Sequence, residues 1–130
     1  MEVRFRVSEL FSKSPEYLYQ AWLDSELHSE MTGGKALVSD QVGDDFTAWD
    51  GYIMGKNLEL QPSMRILQTW RTTEFEKNDP DSLVEITFIP EGDQTRIIIR
   101  HSDLPEHGMQ YQQGWVDAYF TPMKVYFQDN

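Results

Sequence analysis

Three histidines, 22 acidic side chains and no cysteine limit the chemistry open to this chain. His28, His101 and His107 form no HxxxH or HExxH pair, and without cysteine there is no thiolate ligand, thiol nucleophile or disulfide. No metal and no cofactor is therefore expected. Glu26, Glu30, Asp44, Asp45, Asp50, Glu59 and Glu85 are among many carboxylates, but no spacing rule brings two of them together, so no acid–base pair and no catalytic residue is assigned. Thr32-Gly33-Gly34-Lys35-Ala36 matches a phosphate loop only in part. Ser29 stands where the earlier glycine is required, and Ala36 where a hydroxyl would reach magnesium. Its glycines read instead as the stop of a helix.

His101 shares one face of an alternating segment with Ile97 and Ile99. Two roles are open to it: a hydrogen-bonded core histidine, or a polar anchor or general base in a pocket. Trp49, Trp70 and Trp115 each carry a large apolar area and one donor, and either close the core or frame a cavity. Arg71, following Trp70, points to the opposite face, where an acidic neighbour is its expected partner.

The elements that must position these residues follow from periodicity. Val3, Phe5 and Val7 alternate with Arg4, Arg6 and Ser8, the period of a half-buried strand over 3–11. Ser14-Pro15-Glu16 supplies a cap, a residue suited to the first helical position and a charge that complements the helix dipole. Tyr17, Leu18, Ala21 and Trp22 then recur at helical spacing. Asp24-Ser25-Glu26 opens a second short helix to about residue 31, ended by Gly33-Gly34. Strands are expected over 46–49, 52–60, 64–73, 83–89 and 95–101. Asp50-Gly51 marks a tight hairpin, Gly55 a bulge or close approach, and 61–63, 78–81 and 90–93 turns. From 106 to 127 Tyr111, Trp115, Tyr119, Pro122 and Tyr126 form a helical stripe. Pro122 frees the carbonyl of Ala118, so a kink is expected there. Two short helices, six strands and one long helix describe an α+β domain with helices on one side of an antiparallel sheet.

At 130 residues with 39% hydrophobic and 13% aromatic content, the chain is long and apolar enough for one cored domain spanning 1–130. A net charge of −11 argues against nucleic acid and anionic membranes as partners. A basic protein patch, a cation or a neutral ligand remains compatible. The first residues alternate charged and apolar types without the apolar core of a signal peptide, and no run approaches a membrane span, so the cytoplasm is the expected compartment.

Several strings occur together and in order: Ser14-Pro15-Glu16; Trp49-Asp50-Gly51-Tyr52-Ile53 leading into Gly55-Lys56-Asn57-Leu58-Glu59-Leu60; Ile66-Leu67-Gln68-Thr69-Trp70-Arg71; His101-Ser102-Asp103-Leu104-Pro105; and Gly114-Trp115 with Tyr119. Together they resemble the family of homologues of the activator of heat-shock-protein-90 ATPase, within the START-like or SRPBCC superfamily. The resemblance implies a helix-grip fold with a pocket between the sheet and the C-terminal helix. It also implies that the chain corresponds to one half of the two-domain eukaryotic co-chaperones, without the half that supplies much of the chaperone contact. Relatives in the wider superfamily bind lipids, polyketides or hormones, and some are cyclases or hydrolases. Fold alone does not choose among these.

The leading expectation is a small apolar ligand held in a cavity lined by Trp49, Trp70, Phe88, Ile99, His101, Trp115 and Tyr119, with His101 and Tyr119 as polar anchors. A module that docks on a chaperone or another protein by its outer surface is the second reading. An enzyme of the cyclase or hydrolase type using His101 is the third.

Overall fold

Alternating side chains build the sheet as the sequence suggests. The computed structural model describes residues 3–128, so residues 1, 2, 129 and 130 of the expected domain lie outside it. The strands are β1 Val3–Phe11, β2 Asp45–Ala48, β3 Ile53–Gln61, β4 Arg65–Thr72, β5 Ser82–Glu91 and β6 Gln94–Leu104. They form one antiparallel sheet in the order β1-β6-β5-β4-β3-β2. Consecutive strands β2 to β6 meander, while β1 crosses to the far edge and pairs with β6 from Val3↔Leu104 to Phe11↔Thr95.

Two short helices follow β1. In α1, Pro15–Trp22, the Ser14 hydroxyl accepts from the Tyr17 amide at 3.1 Å. In α2, Ser25–Thr32, the Asp24 carboxylate accepts from the Leu27 amide at 2.9 Å, and Gly33 ends the helix in the left-handed region with φ 88°. Left-handed φ costs glycine nothing sterically. The glycines at 33 and 34 are thus a helix stop, and the sequence does not continue as a phosphate loop.

The C-terminal helical run departs from a regular helix. It begins as a 3₁₀ turn, Glu106–Met109, continues as α3, Gln110–Trp115, widens to a π-turn, Val116–Phe120, and ends as α4, Thr121–Gln128. Pro122 has no amide hydrogen to give to the carbonyl of Ala118. The ladder answers by stepping one residue further, with the Thr121 amide donating to Val116 O. The expected irregularity near Pro122 therefore takes the form of a π-turn just before the proline.

The core lies between the inner sheet face and these helices. Val84, Ile86 and Phe88 on β5 sit opposite His101, Ile99 and Ile97 on β6, all at most 3% exposed. Gly55 is a close approach: a Cβ there would lie 1.9 Å from the Thr69 carbonyl oxygen. The bulge itself falls between Asn57 and Glu59. Among the described residues no helix is long and apolar enough to cross a membrane.

Candidate functional site

A cleft of ≈ 410 Å³ opens between the β2–β3 connection, β4 and the C-terminal helix. Trp49, Tyr52 and Ile53 form one wall, Trp70 the floor, and Gln110, Tyr111, Gly114, Trp115, Ala118 and Tyr119 the helical wall. Large rings four residues apart alternate on this helix face with Gly114 and Ala118, also four apart, so the small residues leave the space that the rings border. A Cβ built on Gly114 would meet no atom within 4 Å.

The β2–β3 wall is strained. The expected tight two-residue hairpin is instead a four-residue connection in which Trp49, Asp50 and Gly51 all take positive φ, at 50°, 59° and 90°. Trp49 thus leaves the strand predicted over 46–49. Its indole lies across Gly34, where a Cβ would approach the ring to 2.4 Å. Left-handed backbone costs a non-glycine residue about 1–2 kcal/mol. The Trp49 Nε1–H is also buried without a hydrogen-bond partner.

At the mouth, the Tyr52 hydroxyl donates to Glu74 Oε2, and Gln110 Nε2 donates to the same oxygen at 3.2 Å. This carboxylate ties the β2–β3 connection to the helix. Burial, then the bond to Glu74, pushes the Tyr52 phenol up, so it remains a donor. Tyr111 OH contacts Thr72 Oγ1 at 2.6 Å and His107 Nε2 at 3.1 Å.

Of the seven residues named from the sequence, Trp49, Trp70, Trp115 and Tyr119 line the cleft. Phe88, Ile99 and His101 do not line it, because they belong to the packed layer behind. Phe88 packs edge-on against Tyr19 and Trp22, with centroids 5.9 and 6.5 Å away. Ile99 is 0% exposed. His101 packs against Trp70, 4.5 Å between centroids, and Trp115, 6.0 Å.

Neither expected polar anchor has a free atom. Trp115 Nε1 donates to His101 Nδ1 at 3.0 Å. The Nε2–H must then donate to Ser82 Oγ at 2.9 Å, whose hydroxyl donates to the Trp70 carbonyl at 2.6 Å. Burial pushes this imidazole down to about 3, so it stays neutral. Tyr119 behaves alike. His28 Nδ1–H donates to the Trp22 carbonyl at 2.7 Å, so His28 Nε2 accepts from Tyr119 OH at 2.8 Å. His28 is pushed down to about 4, chiefly by burial, and Tyr119 is pushed up by burial. Both histidines are core polar groups whose hydrogen bonds join strand or helix to the C-terminal run.

Sequence reasoning did not place Tyr52, Ile53, Gln110, Tyr111, Gly114 and Ala118 in the cleft. Only the last two carried a readable signal, as small residues at i, i+4 inside an aromatic stripe. Arg71 does pair on the outer face, with Asp81 at 2.8 Å. Among the described residues no group of three or more His, Asp or Glu stands close enough to hold a metal ion.

Residues 12–128 match the family described as "Activator of Hsp90 ATPase homolog 1-like protein". The chain belongs to this family. Activator of 90 kDa heat shock protein ATPase homolog 2 of Mus musculus is 27% identical over 128 residues, covering 94% of this chain and 37% of the mouse protein. The Dictyostelium discoideum homologue is 28% identical over 112 residues, covering 85% of this chain and 29% of its own length. The chain therefore spans about a third of the curated relatives that it matches. An HSP90 activator from Plasmodium falciparum superposes with TM-score 0.83 at 23% identity, over 94% of each chain. That likeness shows a shared fold: the helix grip of the activator-homologue family is the architecture described above.

Proposed function

We propose that this activator-homologue domain binds a small, mainly apolar molecule in the cleft beneath the C-terminal helix. The carrying observation is the ≈ 410 Å³ of space walled by tryptophan and tyrosine rings and left open by Gly114. The volume falls in the range of about 300–1,000 Å³ usual for small-molecule sites. The strained Trp49 connection supports the reading, since strain of this kind concentrates where a structure serves a ligand rather than its own stability. Trp49, Trp70, Trp115 and Tyr119 supply apolar contact, and the Tyr52–Glu74–Gln110 clasp rims the mouth. His101 and Tyr119 hold the walls in place.

Native mass spectrometry of freshly purified protein and titration with the neutral dye Nile red test the proposal together. A co-purified small molecule, or dye emission that rises and saturates at one site, supports it. The absence of both a mass excess and saturable dye binding would overturn it.

A second reading rests on the names of the relatives, which are activators of a chaperone ATPase. In it the domain docks on a chaperone of the heat-shock-protein-90 type. Because the chain spans only about a third of those relatives, the test is binding before activation. Biolayer interferometry on the purified chaperone should give a saturable signal, and its absence at high micromolar domain would remove this reading.

A further inference from the structure

All six arginines of this chain stand on the outer face of the sheet, away from the helices: Arg4 and Arg6 on β1, Arg65 and Arg71 on β4, Arg96 and Arg100 on β6. The whole chain carries −11, so the basic face is a local inversion of its charge. Arg6 and Arg100 are direct cross-strand partners. Like charges placed opposite each other cost a sheet stability. Two carboxylates lie nearby: Glu85, the neighbour of Arg100 on β5, which Arg65 Nε grips at 2.6 Å and Arg100 Nη1 reaches only at 3.5 Å, and Glu59, which Arg65 Nη1 holds at 2.9 Å; Arg71 and Arg96 pair with Asp81 and Glu91. Among the described residues Arg6 has no hydrogen-bond or ion-pair partner. A shallow cleft of ≈ 540 Å³ runs between these groups, with Leu67 and Leu83 half-buried in its floor.

We propose that this face docks a short acidic segment of a partner protein, its carboxylates on the Arg6–Arg100 pair and beside Arg65, and one apolar side chain on Leu67 and Leu83. The charge complementarity and the leucines between the arginines select this occupant. A free inorganic anion would leave the leucines unused. A nucleic acid or an anionic membrane would meet the acidic remainder of the domain. Adjacent strands are about 4.8 Å apart and Arg65 lies two residues along β4 from the position opposite Arg100, so the two are separated by roughly 12 Å. An extended segment repeats its facing side chains about every 6.8 Å, so acid and apolar residues at alternate positions fall within reach.

A fluorescein-labelled peptide of sequence Gly-Glu-Ser-Leu-Ser-Glu-Gly presents two acids and one leucine on a common face. The expected result is saturable anisotropy at 50 mM NaCl, at least tenfold weaker at 300 mM. The same peptide with both acids changed to Gln should not bind. The exposed double variant Arg6→Gln/Arg100→Gln should bind at least tenfold more weakly. Glu85→Gln should bind several-fold more tightly, because it frees Arg100 and leaves Arg65 held by Glu59 alone; damage to the fold cannot mimic that gain. Equal binding of the Gln peptide, a double variant that binds as the wild type, or no saturation up to millimolar protein would each overturn the proposal. So would a wild-type dimer in light scattering that the double variant abolishes, since the occupant would then be a second copy of the chain.

Discussion

Lowering the pH from 7.5 to 4.5 should remove about 5 kcal/mol of folding stability through two imidazoles. His101 and His28 are 1% and 2% exposed. Burial pushes them down from 6.5 to about 3 and about 4. The unfolded chain restores each to about 6.5. Below that value the unfolded chain takes up protons that the folded one refuses, so stability falls with falling pH until the folded-state value is reached. Two pH units below 6.5 correspond to about 2.7 kcal/mol for each imidazole. The loss rivals the whole stability of a marginal domain, about 5–15 kcal/mol. Geometry gives the same direction, because a proton on His101 Nδ1 would face the Trp115 Nε1–H that now bonds to it. Urea unfolding followed by circular dichroism at four pH values measures the loss. Imidazole C2–H resonances in the folded protein assign it. Carboxylate protonation is common to all variants, so the wild type minus His101→Gln difference isolates one imidazole and should equal about half of the 5 kcal/mol. A folded-state resonance of either histidine titrating near 6.5 would refute the reasoning.

Gly114→Leu should fill the cleft and abolish saturable Nile red binding. Its thermal midpoint should hold or rise, since a helical glycine costs about 0.5–1 kcal/mol. Gly55→Ala should lower the urea midpoint by more than 2 kcal/mol equivalent, about the upper end of overpacking costs, because its methyl meets the Thr69 backbone oxygen and not a movable side chain. Asn57→Leu removes the donors that hold Ser39 O at 2.9 Å and Gln41 O at 3.0 Å, and strands the Gln68 amide that donates to Asn57 Oδ1. It should cost about 2–4 kcal/mol in urea unfolding, at about 1–3 kcal/mol for each buried group left unpaired.

Local signals carried most of the architecture. The alternation of 3–11, the caps at Ser14 and Asp24 and the Gly33 stop each depend on neighbours within a few residues, and each is found where the sequence puts it. The inward position of His101 also followed from alternation. Its partners did not, because Ser82 and Trp115 meet it only through strand register and helix docking. The same limit explains the cleft. A period of 3.6 gathers Tyr111, Trp115 and Tyr119 on one face but does not say which part of each ring meets the sheet and which borders space. Trp49 was read as the end of a strand. Its left-handed turn depends on the bare surface of Gly34, fifteen positions away in sequence and touching only in the fold.

The pairing of β1 with β6 has a consequence for how the chain is made. Strands β2 to β6 each find a partner in the next hairpin, so the meander can assemble by local closure. β1 must wait for a strand nearly the whole chain distant, a contact of high order that slows folding. During synthesis β1 precedes its partner off the ribosome by several seconds at about 5–20 residues per second. Throughout that interval it offers an unpaired edge bearing Val3, Phe5 and Val7. Arg4 and Arg6, set between them, act as gatekeepers whose charge keeps the waiting strand from pairing with the wrong neighbour.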